Sequence, residues 1–336
     1  MIYIESKFLG AAFNLAAEEY ITRIFSLKSD EPVFMFWQTE KCVIIGRNQI
    51  AAAEIDLHAA NSLGIDIIRR PSGGGAVFSD PGNIMYTLVT PFYESDDPKN
   101  IERRLFAEPI AEALIKMGIP ADLKGRNDIT ANGKKFSGLA QYAVKNRLCS
   151  HGSMLFDSDL DILGRVLVPD FEKINSKALR SVRARVVNLC DYFNPKISVF
   201  EFLKRLKSCL FEKIKPEIYE FSKYDTEQIN IIKAEKYENP EWLLGTSPKF
   251  SFHHSKRFSA GKIEVFLDAE RGIIKSCKFF GDFLGVLPVE EFENTLKGLP
   301  YDLKTLSGVF SNADLQLYFG GIKPDELLEC LFKKKN

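Results

Sequence analysis

The sequence is poor in the residues that staple or metallate a fold. Its 336 residues hold six cysteines and four histidines, and the cysteines are scattered at positions 42, 149, 190, 209, 277 and 330. No two of them form a C-x-x-C pair, which excludes a disulfide framework and a zinc site of that spacing. No stretch reaches the roughly 18–20 apolar residues that a membrane-crossing helix needs. Neither sign of charge is in surplus, since 45 Lys+Arg balance 45 Asp+Glu, and this excludes bulk attraction to nucleic acid. The opening MIYIESKFLGAAFNLAAEEY lacks the basic start and apolar run of a secretory signal. These absences lead to the expectation of a reduced, cytoplasmic protein with neither a nucleic-acid nor a membrane partner.

What is present is the composition of an ordinary globular chain, 45% hydrophobic and 27% charged. At roughly 100–200 residues per domain, this length predicts two domains. Helix and strand patterns alternate, so the class is α/β or α+β. A helix is expected over 14–27, capped by Asn14, with Ala17, Ile21, Ile24 and Phe25 along one face. Strands are expected at 33–37, 42–46, 66–70 and 83–90. A helix over 105–117 buries Phe106, Ile110, Ala113, Leu114 and Met117, and Gly118 and Pro120 stop it. Helices follow around 198–214 and 225–236. The segment 239–248 reads as a loop and marks a boundary. Beyond it, 249–285 alternates as strands with turns at Ala260-Gly261 and Gly272, and helical patterns end the chain. The expected division is a domain of residues 1–245 and a smaller one of 250–336.

Residues 69–83, RRPSGGGAVFSDPGN, place three glycines between two arginines and an apolar strand start. The stretch is neither a P-loop nor a dinucleotide fingerprint, because Gly-Lys-[Ser/Thr] and G-x-G-x-x-G are both missing. A plain strand–turn–strand connection is one reading. Bare backbone N–H groups beside arginine also suit an anion.

The clearest hairpin is DITANGKKFS, residues 128–137, since Asn132-Gly133 favours a two-residue type I′ turn. Its register predicts Ala131 opposite Lys134, Thr130 opposite Lys135, Ile129 opposite Phe136 and Asp128 opposite Ser137. One face then carries Asp128, Thr130, Lys135 and Ser137, and the other Ile129, Ala131, Lys134 and Phe136. Lys135 is thus a candidate cation for the glycine loop, although a Lys-Lys pair on a hairpin is also an ordinary solvated feature. Asp128 is positioned to hold Mg²⁺ or to orient the lysine. Gly138 and Ala140 are small enough for a ligand to pass. Cys149 and His151 share a strand face, so a thiolate nucleophile and a buried inert cysteine are both open, as is a pocket-lining role for His151. His253 and His254 read as structural or surface residues. Arg183 and Arg185 form a basic strand face, for an acidic partner or for solvent.

Taken in order, RRPSGGGAVFSDPGN, GRNDITANGKKFSGLAQ, HGSMLFD and SVRARVVNL resemble the successive signatures of two-domain lipoate–protein ligases. The resemblance extends to FNLAAEEY near the start and to SPKFSF and GKIEVF near the end. It implies an α+β catalytic domain of the biotin/lipoyl-ligase kind, related to class II synthetases, in which a mixed β-sheet is flanked by helices. It also implies a small α+β accessory domain. It further implies ATP-dependent formation of lipoyl-AMP, with Mg²⁺, and transfer of the lipoyl group to a lysine of carrier proteins, namely lipoyl domains of dehydrogenase E2 subunits and the glycine cleavage H protein. The enzyme would act as a monomer in the cytoplasm. By motif, Lys135 is the catalytic lysine. Arg70, Ser72, Gly74, Gly75, Ala76, Val77 and Phe78 would bind nucleotide and acyl groups. Asn127 and Asp128 would lie near phosphate and metal, and Trp37, Ala140 and His151 near the acyl chain. Two positions depart from relatives: Ser79 stands where many have histidine, and Gln141-Tyr142 where some have arginine. The rival within the same fold is an ATP-independent octanoyl or lipoyl transferase using Cys149.

Overall fold

The computed structural model describes residues 1–25, 30–124, 127–166, 185–244, 252–270 and 272–332. Its centre is an eight-stranded sheet in the order β11-β1-β2-β6-β10-β9-β8-β7. The strands are β1 (Ile2–Glu5), β2 (Val33–Trp37), β6 (Asn83–Pro91), β7 (Ala121–Lys124), β8 (Asp128–Ala131), β9 (Lys134–Val144), β10 (Arg147–Leu155) and β11 (Glu217–Tyr219). Pairing is parallel between β11 and β1 and between β1 and β2, and antiparallel across the rest. The expected mixed sheet is therefore present.

Both faces of the sheet are covered, so its central strands are buried along nearly their whole length. On one face Phe34, Phe36, Tyr86, Phe106 and Leu139 pack with the helices Glu108–Lys116 and Val199–Leu210. On the other, Met35, Trp37, Met85, Tyr142 and Cys149 pack under the helices Ala11–Tyr20 and Lys223–Ile232. Burying each such large side chain contributes about 1.5–3 kcal/mol, and entropy offsets most of the sum.

The first helix differs from expectation at both ends. Gly10, not Asn14, is its N-cap. Asn14 lies inside, its amide donating to the Phe8 and Gln38 carbonyls and its Oδ1 accepting from Ser6 Oγ. It ties a neighbouring loop down rather than satisfying the helix start. After Tyr20 the turns widen to π type over Ile21–Phe25. The extra residue per turn rotates Ile24 out to 38% exposure while Ile21 stays inside. The predicted tail at 26–27 lies outside the described residues.

A second sheet, β4-β3-β5, is formed by β3 (Cys42–Ile45), β4 (Asp66–Arg69) and β5 (Val77–Ser79). Within it β4 runs parallel to β3, whereas β5 is antiparallel. The glycine stretch is the connection from β4 to β5, so it must cross the end of β3.

The C-terminal segment has its own meander, β12 (Phe252–Phe258), β13 (Gly261–Glu270) and β14 (Ile273–Gly281), with helices from Val289 to Leu331 packed around Ile263, Phe279, Phe292 and Phe319. The strands agree with the alternation and turns read from the sequence. His253, read as a structural or surface residue, is exposed and has Glu264 Oε2 at 3.4 Å because the β12–β13 pairing brings it there. The segment 239–248, expected to be a loop, contains the helix Pro240–Leu244. Among the described residues, three backbone bonds join the C-terminal segment to the rest: Gly281 N to Asn48 O, Gly74 N to Phe283 O and Ala143 N to Val286 O. Among the described residues no helix is long and apolar enough to cross a membrane.

Candidate active site

Arg70 organises the glycine loop. It is buried, and its guanidinium collects carbonyls: Nη2 donates to Gly73 O at 2.6 Å and Gly75 O at 2.8 Å, and Nη1 to Ile44 O at 3.0 Å. A trans peptide sets its C=O and N–H on opposite sides. Holding the Gly73 and Gly75 carbonyls inward therefore turns the Gly74 and Ala76 N–H groups outward. The Gly74 N–H meets the Phe283 carbonyl at 3.2 Å. Desolvation lowers the Arg70 pKa to about 10, which leaves the cation in place near neutrality. Arg69 is structural. Its guanidinium donates to the carbonyls of Gly46, Arg47, Gln49, Trp242 and Leu243, pinning two loops together.

Two of the three glycines are required, for different reasons. A Cβ on Gly73 would meet Phe283 O at 2.4 Å, so close approach requires glycine there. Gly74 has φ +89°, where other residues are strained. A Cβ on Gly75 would meet nothing within 4 Å, so Gly75 faces open space.

The hairpin forms its type I′ turn, with φ +49° at Asn132 and +75° at Gly133. The first two pairs follow the expected register, Ala131 with Lys134 and Thr130 with Lys135. A bulge then shifts it: Ile129 pairs with Ser137, and Asp128 with Gly138. The extra residue, Phe136, goes into the core. Ser137 therefore leaves the polar face assigned to it and bonds Tyr86 Oη at 2.7 Å on the core side. Gly138 takes its place opposite Asp128. With no side chain there, Lys135 folds across, and its Nζ reaches Asp128 Oδ1 at 2.7 Å. A Cβ at Gly138 would stand 3.0 Å from Lys135 Nζ. Lys134, assigned to the face with Ile129, Ala131 and Phe136, is exposed.

Glycine loop and hairpin meet on one cavity of about 120 Å³. Of the residues singled out in the sequence, Trp37, Arg70, Gly74, Gly75, Ala76, Val77, Asn127, Lys135, Ala140 and His151 line it. Leu15, Ile44, Met85 and Leu139 supply most of its remaining apolar wall. Lys135 is thus the ammonium beside a greasy slot whose rim is backbone N–H. A second cavity, about 260 Å³, adjoins through Asn127, Leu139 and Ala140 and is lined also by Asp128, Glu102 and Leu284.

Two singled-out residues are set back. Phe78 is buried among Val43, Ile45 and Ile55 beneath the loop. Ser72 is buried between Arg70 Nε at 3.0 Å and His151 Nε2 at 2.6 Å. Of the two departures, Ser79 Oγ accepts from Thr39 Oγ1 at 2.8 Å. Gln141 Nε2 donates to Ser150 Oγ at 2.9 Å and the Pro98 carbonyl at 3.1 Å. Arg183 lies outside the described residues, and Arg185 is exposed.

Sequence reasoning missed Glu18 and Thr87. Glu18 is fully buried, accepting from Thr87 Oγ1 and lying 2.9 Å from His151 Nδ1. The signal was available. Ala11, Leu15 and Glu18 stand at i, i+4 and i+7, so a carboxylate interrupts the apolar stripe of the first helix.

Cys149 is not a poised nucleophile. It is buried, and desolvation pushes its thiol well above the ordinary value, so the thiolate is disfavoured. Glu18, Cys149 and His151 are the one described cluster of three His, Cys or acidic residues close enough to share a metal. Glu18 and His151 instead bond one another, and the thiol is protonated. Asp128 has one carboxylate oxygen taken by Lys135. It fits a Mg²⁺ shared with substrate phosphates, and not a cation held by protein alone.

Comparison with known proteins shows which family the whole chain is similar to. The family model described as lipoyl protein ligase A/B catalytic domain matches residues 10–211, and that of the bacterial lipoate protein ligase C-terminus matches 247–331. Lipoate-protein ligase LplJ of Bacillus subtilis strain 168 is 37% identical over 338 residues, covering 99% of this chain and 100% of that protein. The crystal structure of P. falciparum LipL1 in complex with lipoate has the same fold, with a TM-score of 0.77 at 24% identity, covering 93% of this chain and 94% of that one. The crystal structure of lipoate-protein ligase A bound with ATP gives a TM-score of 0.62 at 27% identity, over 73% of this chain and 99% of that one.

Proposed function

Because the chain belongs to the lipoyl protein ligase A/B family, with the bacterial lipoate protein ligase C-terminus behind the catalytic domain, we propose how its residues divide the family's reaction. The enzyme is an ATP-dependent lipoate–protein ligase. A lipoate carboxylate oxygen attacks the α-phosphorus of ATP, the α–β P–O bond breaks, and pyrophosphate leaves. A carrier lysine, having lost a proton, then attacks the acyl carbon, and the acyl–O bond breaks to release AMP. No enzyme nucleophile is needed in either step.

The observation that carries the assignment of residues is the convergence of Lys135 with the glycine-loop backbone on one cavity. Two anions must approach for the first step. Lys135 and the outward N–H groups supply fixed positive charge where negative charge develops, and such preorganised donors are typically worth about 10²–10³ in rate each. Arg70 holds the loop from behind. Leu15, Trp37, Met85, Ala140 and the ring of His151 take the apolar acyl chain, while Ala76, Val77 and Asn127 take the nucleotide and Phe78 supports the loop from the core. When Mg²⁺ is bound, Asp128 holds it together with substrate phosphates and it supplies further charge neutralisation.

Residues 1–245 form the catalytic domain and 250–336 a cap. The Phe283 carbonyl on the Gly74 N–H supports this reading, since a phosphate oxygen would compete for the same donor. The cap shifts to admit the carrier. The carriers are lipoyl domains of dehydrogenase E2 subunits and the glycine cleavage H protein, and the enzyme works as a cytoplasmic monomer.

The test is mass-shift detection on purified carrier proteins, with and without ATP and Mg²⁺. Lipoylation should require both, survive Cys149→Ser and collapse in Lys135→Ala. A hydroxylamine-labile thioester on Cys149 formed without ATP would overturn the reading.

A further inference from the structure

A buried hydrogen-bonded chain runs from the floor of the acyl slot to the back of the glycine loop. Trp37 Nε1–H donates to Thr87 Oγ1 at 3.0 Å, and Thr87 O–H to Glu18 Oε1. Glu18 Oε2 meets His151 Nδ1 at 2.9 Å, and His151 Nε2 meets Ser72 Oγ at 2.6 Å. Arg70 Nε donates to Ser72 Oγ at 3.0 Å, and the same guanidinium grips the Gly73 and Gly75 carbonyls. These six side chains are all buried.

The donors at the two ends, the acceptor-only carboxylate of an ionised Glu18 and a neutral His151 ring together set the direction of the bonds between them. Indole N–H and guanidinium N–H can only donate. Thr87, accepting from Trp37, gives its proton to the Glu18 carboxylate. The second carboxylate oxygen then accepts from His151 Nδ1–H. Ser72, accepting from Arg70, gives its own proton to an unprotonated His151 Nε2. This arrangement leaves one buried cation, Arg70, and one buried anion, Glu18, whose field favours the charged arginine. An imidazolium in the middle would put two cations against one carboxylate, at a large desolvation cost.

Ser72, His151 and Glu18 have the spacing of a nucleophile triad. Ser72 is nevertheless 1% exposed, and its oxygen accepts a hydrogen bond from Arg70 Nε, so no substrate atom reaches it.

We propose that Glu18, Thr87, His151 and Ser72 are positioning residues that lock Arg70, and through it the outward-facing N–H groups of the glycine loop, in the orientation that lipoate adenylation uses. The proposal rests on the adenylation reading above. Glu18 acts through three other side chains, so its removal loosens the loop by fractions of an ångström. A misplacement of about 1 Å can cost about 10²-fold in rate.

The test uses the full chain, with Glu18→Gln, Ser72→Ala and the double variant. In the wild type, ¹⁵N NMR of the four histidine rings, assigned with His151→Asn, should find His151 neutral and protonated at Nδ1 only. Glu18→Gln should shift the ring toward the Nε2–H tautomer. It should lower kcat for lipoyl-AMP formation at least about ten-fold while KM for ATP and lipoate moves less than about three-fold. Ser72→Ala should cost a similar factor, and the double variant little more, because the two interrupt one chain. An Nε2–H or doubly protonated His151 in the wild type overturns the proposal even if neither variant folds. So does a Glu18→Gln enzyme with wild-type kcat, or losses that multiply in the double variant. A wild-type protein that forms no lipoyl-AMP sinks the adenylation reading instead, and the ring tautomer still reports on the chain.

Discussion

Replacing Gly138 by alanine separates the placement of Lys135 from the stability of the hairpin. A Cβ there would lie 3.0 Å from Lys135 Nζ and 3.2 Å from Cε, where ordinary contact begins at 3.4 Å. The ammonium must retreat by about 0.4 Å, the difference between 3.4 and 3.0 Å, and its 2.7 Å bond to Asp128 lengthens with it. Two stability effects oppose one another. The ion pair is 41% and 36% exposed, so weakening it costs at most about 1 kcal/mol. Alanine at a strand position with ordinary φ gains about 0.4–1 kcal/mol by restricting the unfolded chain. Thermal unfolding should therefore move by less than about 3 °C. The rate of lipoyl-AMP formation should not be spared. With about 10²-fold lost per ångström of misplacement, a shift of this size predicts a fall of about six-fold. Pyrophosphate release under saturating ATP and lipoate, set beside a melting curve, measures both. A Gly138→Ala enzyme with the wild-type rate would refute the argument that this glycine exists to let Lys135 lie across the strand. A large loss of stability would refute it too, by showing that the site is packing and not placement.

Other outcomes follow from the same geometry. Lys135→Met should lower lipoyl-AMP formation by about 10²–10³ while unfolding free energy changes by less than about 1 kcal/mol, as read by pyrophosphate release and urea titration. Gly133→Ala puts a Cβ at φ +75° and should cost about 1–2 kcal/mol; a smaller cost would mean that the turn relaxes to another type. Burial holds the Glu102 carboxyl at about 7, up from 4.5 and against the pull of Lys99. The folded state therefore binds that proton more tightly than the unfolded chain, and stability falls as pH rises from about 4.5 to about 7. Glu102→Gln removes this loss, so the variant should be roughly 1–3 kcal/mol more stable than wild type at pH 8 and nearly equal to it at pH 4. Equal stabilities at both pH values in denaturant titrations would show that Glu102 does not stay desolvated.

Much of the fold was legible because its signals are local. Strands β2, β3, β6 and the C-terminal meander follow from apolar runs and turn residues, and Gly118 ends its helix with φ +85° as read. Asn132-Gly133 was sufficient for the turn and for the two pairs nearest it. The bulge beyond was not legible, because Phe136 leaves the ladder to fill a core built from distant segments: Phe34, Tyr86, Phe106 and Phe156. Asn14 misled for a similar reason. Its capping chemistry is real, but its partners Ser6, Phe8 and Gln38 come from loops that only the folded chain brings near.

The sequence by itself determined that a glycine loop, an Asn-Gly hairpin with two lysines, and a strand carrying His151 exist. It also determined the face on which Lys135 lies, because alternation along a strand and the dihedrals of a type I′ turn are local properties. Tertiary structure alone decided that Arg70 faces inward toward carbonyls while the loop's N–H groups face out. It decided that Gly138, and not Ser137, stands opposite Asp128, and that Glu18 from the first helix completes the chain to His151. Those choices depend on burial and, for the bulge and for Glu18, on partners more than fifty residues away in the chain: Ser137 with Tyr86 is 51 residues apart and Glu18 with His151 is 133. No local pattern encodes the desolvation that forces buried charges to find one another.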